Sequence, residues 1–218
     1  MMKLSLPADR LSLYVRRLLL NSFPDGDALD AWSESAFSRA LERCEHSFSH
    51  IRRKYYLEDG ATVFDHLNAD HMASFLYFLG NSLWQEQGDV PVATKLSYLN
   101  KVMHGLDLFH SVKMPDIFLL VHPVGTVLGN AKYGDYLVVY QNCTVGAVGT
   151  DYPAFGNGTI LYSRSSVIGK CQIGNDVVFA ANSAVIGMAI PDNSVVLGMH
   201  PDNRIVANAE SVRMRCFS

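Results

Sequence analysis

The chain has 218 residues, 18% of them charged and 49% apolar, with a formal charge of −3. That balance fits a globular protein with apolar material for one large core or two small ones. It lacks the basic excess that nucleic acid or an anionic membrane would require. The short run Arg52-Arg53-Lys54 reads as a solvated helix face. Cys44, Cys143, Cys171 and Cys216 show neither metal-ligand nor disulfide-framework spacing. No signal peptide is expected, because Leu18-Leu19-Leu20 lies inside an amphipathic pattern. The apolar run Phe75–Leu79 is far below the roughly 20 residues that cross a bilayer. A cytoplasmic, reducing setting is the expectation.

The first half reads in helical period. Leu11, Tyr14, Val15, Leu18 and Leu19 form one stripe, which Pro24-Asp25-Gly26 ends, leaving Asp27 to cap the next helix. Phe37, Leu41, Cys44, Phe48 and Ile51 make a second stripe. After a loop at Gly60 come Met72, Phe75, Leu76, Leu79 and Leu83. Pro91 opens a fourth helix carrying Leu96, Leu99, Met103 and Leu106. These are core stripes, so an all-helical domain is expected over 1–105.

From Val121 the period becomes six. Val121, Val127, Tyr133, Val139 and Val145 keep it, and four residues after each come Gly125, Ala131, Leu137, Cys143 and Gly149. A second run holds Leu161, Val167, Ile173, Phe179, Val185 and, one step skipped, Leu197. Neither a helix nor a half-buried strand has this period. A parallel β-helix does, each hexad forming one face of a triangular coil and stacked coils burying a shared core. The fold class expected is therefore α+β, an α-helical domain followed by a left-handed parallel β-helix over 106–206 and a tail over 207–218. Between the runs, 148–159 holds Gly149, Asp151, Pro153, Gly156 and Gly158 and reads as a protruding, site-forming loop.

Three segments carry a resemblance. His122-Pro123-Val124-Gly125-Thr126-Val127-Leu128-Gly129 resembles the His-x-x-Gly-x-Val-x-Gly segment of serine acetyltransferases, in the hexapeptide-repeat acyltransferase superfamily. Gln141-Asn142-Cys143-Thr144-Val145-Gly146-Ala147 resembles that family's Gln-x-Val-Thr-Leu-Gly-Gly, and Gly198–Val206 its closing Gly-x-Pro-Ala-Arg-Ile-Val. The resemblance implies acetyl transfer from acetyl-CoA to a hydroxyl or amine of a small-molecule acceptor. It also implies a homotrimer with sites between neighbouring β-helices, a dimer of trimers remaining open. His122 matches the family's general base. A neutral imidazole can take the nucleophile's proton as it strikes the thioester. Asp107, fifteen residues earlier, matches the acid that would orient it. The coenzyme would lie against Gly146, Ala147, Ser163 and Ala181, with Lys170 or Arg204 at its phosphates. No metal is expected, since between residues 111 and 199 only His122 could serve as a histidine ligand.

Two departures bear on the acceptor. Val121 stands where the family has Asp, and Asp151-Tyr152-Pro153 where its loop has Asp-Arg-His-Pro. An amino-acid zwitterion needs paired charges in its site. A non-serine acceptor, such as a sugar or nucleotide-sugar held by Asp151 and Tyr152, is thus the leading expectation. Serine O-acetyltransferase and a non-catalytic trimeric scaffold are the alternatives.

Overall fold

The computed structural model describes residues 2–25 and 32–218. The chain divides into two compact units, Met1–Ser49 with Arg53–Ser111, and His50–Arg52 with Val112–Ser218. Asp27, the expected cap, lies outside the described residues.

The first unit contains β1 (Lys3–Leu4), α1 (Ala8–Ser22), α2 (Glu34–Ser49), β2 (Leu57–Glu58), β3 (Ala61–Phe64), α3 (Ala69–Gln87) and α4 (Pro91–His104). The four expected helices form. Leu11, Val15 and Leu19 are the buried stripe of α1. Asn68 caps α3 by accepting from the Asp70 and His71 amides. Pro91 sits in the first turn of α4, and Gly105 ends it in the left-handed conformation. Every residue of α3 from His71 to Leu83 is buried, so it reads as the central helix, flanked by α2 and α4.

The unit is not all helical, however. β1, β3 and β2 form a three-stranded sheet in that order. Leu57 pairs with Thr62 and Glu58 with Ala61, around Asp59 and Gly60 at φ 51° and 78°. Two adjacent positive φ values make a two-residue type I′ hairpin, which Asp-Gly favours. What read as a loop at Gly60 is this turn. Three further assignments shift: Ile51 follows the end of α2, Leu106 follows the end of α4, and Met103 is exposed on α4.

The second unit is a parallel β-solenoid of four coils. Face 1 stacks β4 (Phe118–Leu120), β6 (Leu137–Val139), β9 (Thr159–Leu161), β12 (Val177–Phe179) and β15 (Ser194–Leu197). Face 2 stacks β5 (Val127–Leu128), β7 (Thr144–Gly146), β10 (Ser166–Ile168) and β13 (Ala184–Ile186). Face 3 stacks β8 (Ala154–Phe155), β11 (Gln172–Ile173) and β14 (Ala189–Ile190). β16 (Arg204–Ala207) then pairs antiparallel with β15. A short α5 (Val212–Cys216) follows, its Val212 amide bonded to Asp176 Oδ1 at 2.8 Å.

The hexad residues form stacked, buried columns. Leu161 pairs with Phe179, Val167 with Val185 and Phe155 with Ile173, each eighteen residues on, three hexads to a coil. The first run is corrected by the structure. Leu120 and Leu128, rather than Val121 and Val127, are in register with Val139 and Val145, and Val127 is 40% exposed. Leu197 is likewise replaced by Val196, which pairs with Phe179 because the fourth coil is one residue short.

The third corner is built from stacked Asx side chains. Asp135 accepts from the Asp116 and Ile117 amides, Asn157 from Asp135, Asn175 from Asn157 and Asp192 from Asn175, at 2.6–3.1 Å. Among the described residues no helix is long and apolar enough to cross a membrane.

Candidate active site

The corner from face 1 to face 2 positions His122. In coils 2, 3 and 4 this corner takes six residues, from Val139 to Val145, Leu161 to Val167 and Phe179 to Val185. In coil 1 it runs from Leu120 to Leu128 and is two residues longer. The other coils turn on a single left-handed residue, Asn142, Arg164 or Asn182, at φ 57°, 62° and 60°. Coil 1 has two, Gly125 at φ 73° and His122 at φ 49°. The additional left-handed residue is thus the histidine, and its side chain is exposed. A non-glycine residue in this region carries strain that surrounding contacts must hold.

Hydrogen bonds define the turn. The Val124 amide donates to His122 O at 2.7 Å, a γ-turn centred on Pro123. The Thr126 amide donates to Pro123 O at 3.1 Å, a β-turn with Gly125 at its positive-φ position. Coil 2 lies close beneath. At φ 73° a side chain would be strained, and a Cβ at Gly125 would have to displace Asn142 Oδ1, so glycine is favoured there.

The other predicted residues fall at distinct places. Ser163 and Ala181 occupy the His122 corner in coils 3 and 4, where the Asn182 amide donates to Ser163 O at 3.0 Å. Gly146 and Ala147 lie at the opposite edge of face 2, where the Gly169 amide donates to Gly146 O at 2.9 Å. Lys170 follows Gly169 there and is exposed, and Arg204 is exposed on β16. The candidate coenzyme contacts therefore border face 2 on both sides.

Asp151 and Tyr152 lie at the corner from face 2 to face 3, not at that of His122. The expected excursion over 148–159 is much shorter. Val145 pairs with Val167, twenty-two residues on, so coil 2 holds four residues more than an eighteen-residue coil. They form a tight hairpin in which Val148 and Asp151 exchange hydrogen bonds of 3.1 and 3.0 Å around Gly149 and Thr150. Ala154–Phe155 and Thr159–Leu161 are regular strands of the coil. Asp107 belongs to the first unit, where its Oδ2 accepts from Lys101 Nζ at 2.7 Å.

The sequence reading missed Thr126, Asn142 and Arg164. Thr126 closes the His122 turn itself, and stacking between coils brings Asn142 against that turn. Arg164 places an exposed guanidinium on the same corner two coils on. Among the described residues no group of three or more His, Cys, Asp or Glu side chains could hold a metal ion.

No family model matches the sequence. Serine acetyltransferase from Synechococcus elongatus is 29% identical over 122 residues, covering 53% of this chain and 50% of that protein. That from Staphylococcus epidermidis is 24% identical over 132 residues, covering 58% and 61%. The chain thus spans about half to three-fifths of these relatives. A serine acetyltransferase solved in complex with cysteine superposes with a TM-score of 0.72 at 18% identity, over 97% of this chain and 84% of that one. One in complex with CoA gives 0.70 at 18% identity, over 91% and 84%.

These matches overturn the expected sugar or nucleotide-sugar acceptor, since the proteins found are named serine acetyltransferases. The physical fault lay in arguing from two absent side chains. Their absence shows which groups do not meet a zwitterion's charges; it does not show that none do. In sequence over about half its length, and in its helices followed by a parallel β-solenoid, the chain resembles the serine acetyltransferases of the hexapeptide-repeat superfamily.

Proposed function

We propose that this protein transfers the acetyl group of acetyl-CoA to the hydroxyl of L-serine, with His122 as general base. One observation carries the reading: the histidine that matches the family's base stands exposed on the one enlarged corner of its kind in the solenoid. In the proposed step the imidazole takes the proton of the serine hydroxyl as its oxygen attacks the thioester carbonyl. The tetrahedral intermediate then collapses, the carbon–sulfur bond breaks, and the imidazolium returns the proton to the leaving thiolate. Neither oxidant nor metal enters this balance.

CoA is placed along face 2, between Ser163 and Ala181 on one edge and Gly146 and Ala147 on the other. Small residues there let an extended ligand approach the backbone. Lys170 or Arg204 is the cation proposed for its phosphates. Asp107 is retained as the acid proposed to orient His122. A homotrimer is the proposed assembly, with pairing of two trimers as its extension. Support comes from the outer side of face 2, where Val127, Ile186 and the nearby Met199 are 40, 47 and 63% exposed. Neighbouring copies would cover that strip and bring one chain's hairpin, with Asp151 and Tyr152, to the next chain's His122. The four cysteines are buried thiols outside any disulfide, which suits the cytoplasm.

The test is turnover with acetyl-CoA and L-serine beside a panel of amino sugars and other hydroxyl compounds, products being identified by mass. O-acetylserine should dominate. Absence of any acetylated serine would refute the reading.

A further inference from the structure

The enlarged corner that bears His122 is held to the coil below by one buried hydroxyl. The main-chain bonds around it recur in every coil. Asn142 N donates to Val124 O, Arg164 N to Gln141 O and Asn182 N to Ser163 O, at 2.9–3.1 Å. The closing bond of each turn also recurs, with one exception. In coils 1, 3 and 4 an amide donates to the carbonyl three residues back: Thr126 to Pro123, Ser165 to Tyr162 and Ser183 to Ala180, each at 3.1 Å. In coil 2 the Thr126 hydroxyl stands in that place. The Cys143 amide donates to Thr126 Oγ1 at 3.3 Å, and Thr126 Oγ1 donates to Tyr140 O at 3.0 Å.

We propose that Thr126 is a positioning residue for His122: its hydroxyl, inserted into the turn of coil 2, fixes the longer turn of coil 1. The proposal rests on the reading of His122 as general base. Thr126 is fully buried, and a buried hydroxyl is stable only when its hydrogen bonds are made; here it both donates and accepts. Replacing it by valine keeps the shape but removes the acceptor of the Cys143 amide and the hydroxyl donor to the Tyr140 carbonyl. The 140–143 turn, which lacks the closing amide-to-carbonyl bond of the other coils, then loses the bonds that stand in for it and shifts. Asn142 belongs to that turn and lies against Gly125, so a shift of the lower turn presses on the upper one three residues from His122. Serine retains the hydroxyl and so retains the tie.

The experiment compares Thr126→Val and Thr126→Ser with the wild-type protein. A third variant, Ser183→Ala, removes a hydroxyl-to-carbonyl bond of 2.7 Å in coil 4 and controls for loss of solenoid stability alone. Three quantities are read: kcat with L-serine, KM for acetyl-CoA, and the NMR resonance of the His122 imidazole. Misplacing a catalytic group by about 1 Å costs up to about a hundredfold, so Thr126→Val should lower kcat by about tenfold or more and leave KM for acetyl-CoA within about twofold. It should also move the His122 resonance. Thr126→Ser should restore both, and Ser183→Ala should leave that resonance in place. Thr126→Ala, which removes the hydroxyl without adding bulk, serves the same purpose should the valine variant not fold. An unmoved His122 resonance in the valine or alanine variant overturns the proposal, as does a resonance that Ser183→Ala shifts equally. If the wild-type protein acetylates nothing, the catalytic reading fails on its own, while the resonance still decides the positioning role.

Discussion

Replacing His122 by alanine is expected to lower acetyl transfer to L-serine by about 10²–10⁴-fold, the range over which a positioned general base contributes. The loss should appear in kcat and kcat/KM alike, because proton removal belongs to the transition state rather than to substrate binding. Fold stability should change little, since the side chain is exposed at a corner and the buried columns do not include it. A conformational correction applies. His122 sits at φ 49°, where alanine is disfavoured, so His122→Asn is the better partner variant. Asparagine accepts the left-handed region and cannot act as a base near neutral pH. Both variants should be inactive, as read by release of free thiol from acetyl-CoA, and the asparagine variant should unfold at nearly the wild-type temperature. Activity within threefold of wild type in either would remove His122 from the mechanism.

Acidification is expected to destabilise the helical unit. His71 is fully buried, with Nδ1 accepting from the Asp65 amide at 3.1 Å and its ring packed against Phe48, Tyr56 and Phe64. Burial pushes its pKa down to about 4, against the opposing pull of Asp65. His104 is buried beside Asn100 Oδ1 at 2.8 Å, and burial lowers it to about 4 as well. The sign follows from the direction of the shift. Both imidazoles stay neutral in the fold but take up a proton in the unfolded chain below its ordinary value of 6.5, so the unfolded state binds more protons in that window. Their contribution is whole above pH 6.5 and is lost as pH falls through 6.5 towards 4, up to roughly 3 kcal/mol for each. Thermal unfolding between pH 7.5 and 4.5 reads this directly. The fall in melting temperature should be shallower in a His71→Leu, His104→Gln double variant than in the wild type. Equal slopes would show that other groups, such as carboxylates, govern the acid limb.

The solenoid was legible because its core repeats along the chain. Leu161, Val167, Ile173, Phe179 and Val185 recur at six, and each fills a buried column. The first coil misled for a local reason. Val121 and Val127 are six apart, yet the corner between them holds the two additional residues, so the residues in register are Leu120 and Leu128. A regular spacing thus concealed the irregularity that raises His122. The Asp59-Gly60 hairpin has a local signal, because Asp-Gly is the preferred pair for a type I′ turn, but its strands of two and four residues are too short to show an alternating pattern. Thr126 was not readable at all. Its partners lie fourteen and seventeen residues on, contacts that exist only once coils stack with a known offset. The acceptor was misread because the absence of two side chains from a loop does not show that no other group meets a zwitterion's charges.

The most direct test of the site is a crystal structure of the protein with CoA and L-serine bound. The proposal places the pantetheine arm along face 2 between Ser163 and Gly146, and the serine hydroxyl within about 3 Å of a ring nitrogen of His122. In that crystal, the Val148–Asp151 hairpin of a neighbouring chain should border the acceptor. CoA seated away from face 2, or serine bound with its hydroxyl out of reach of His122, would contradict the account.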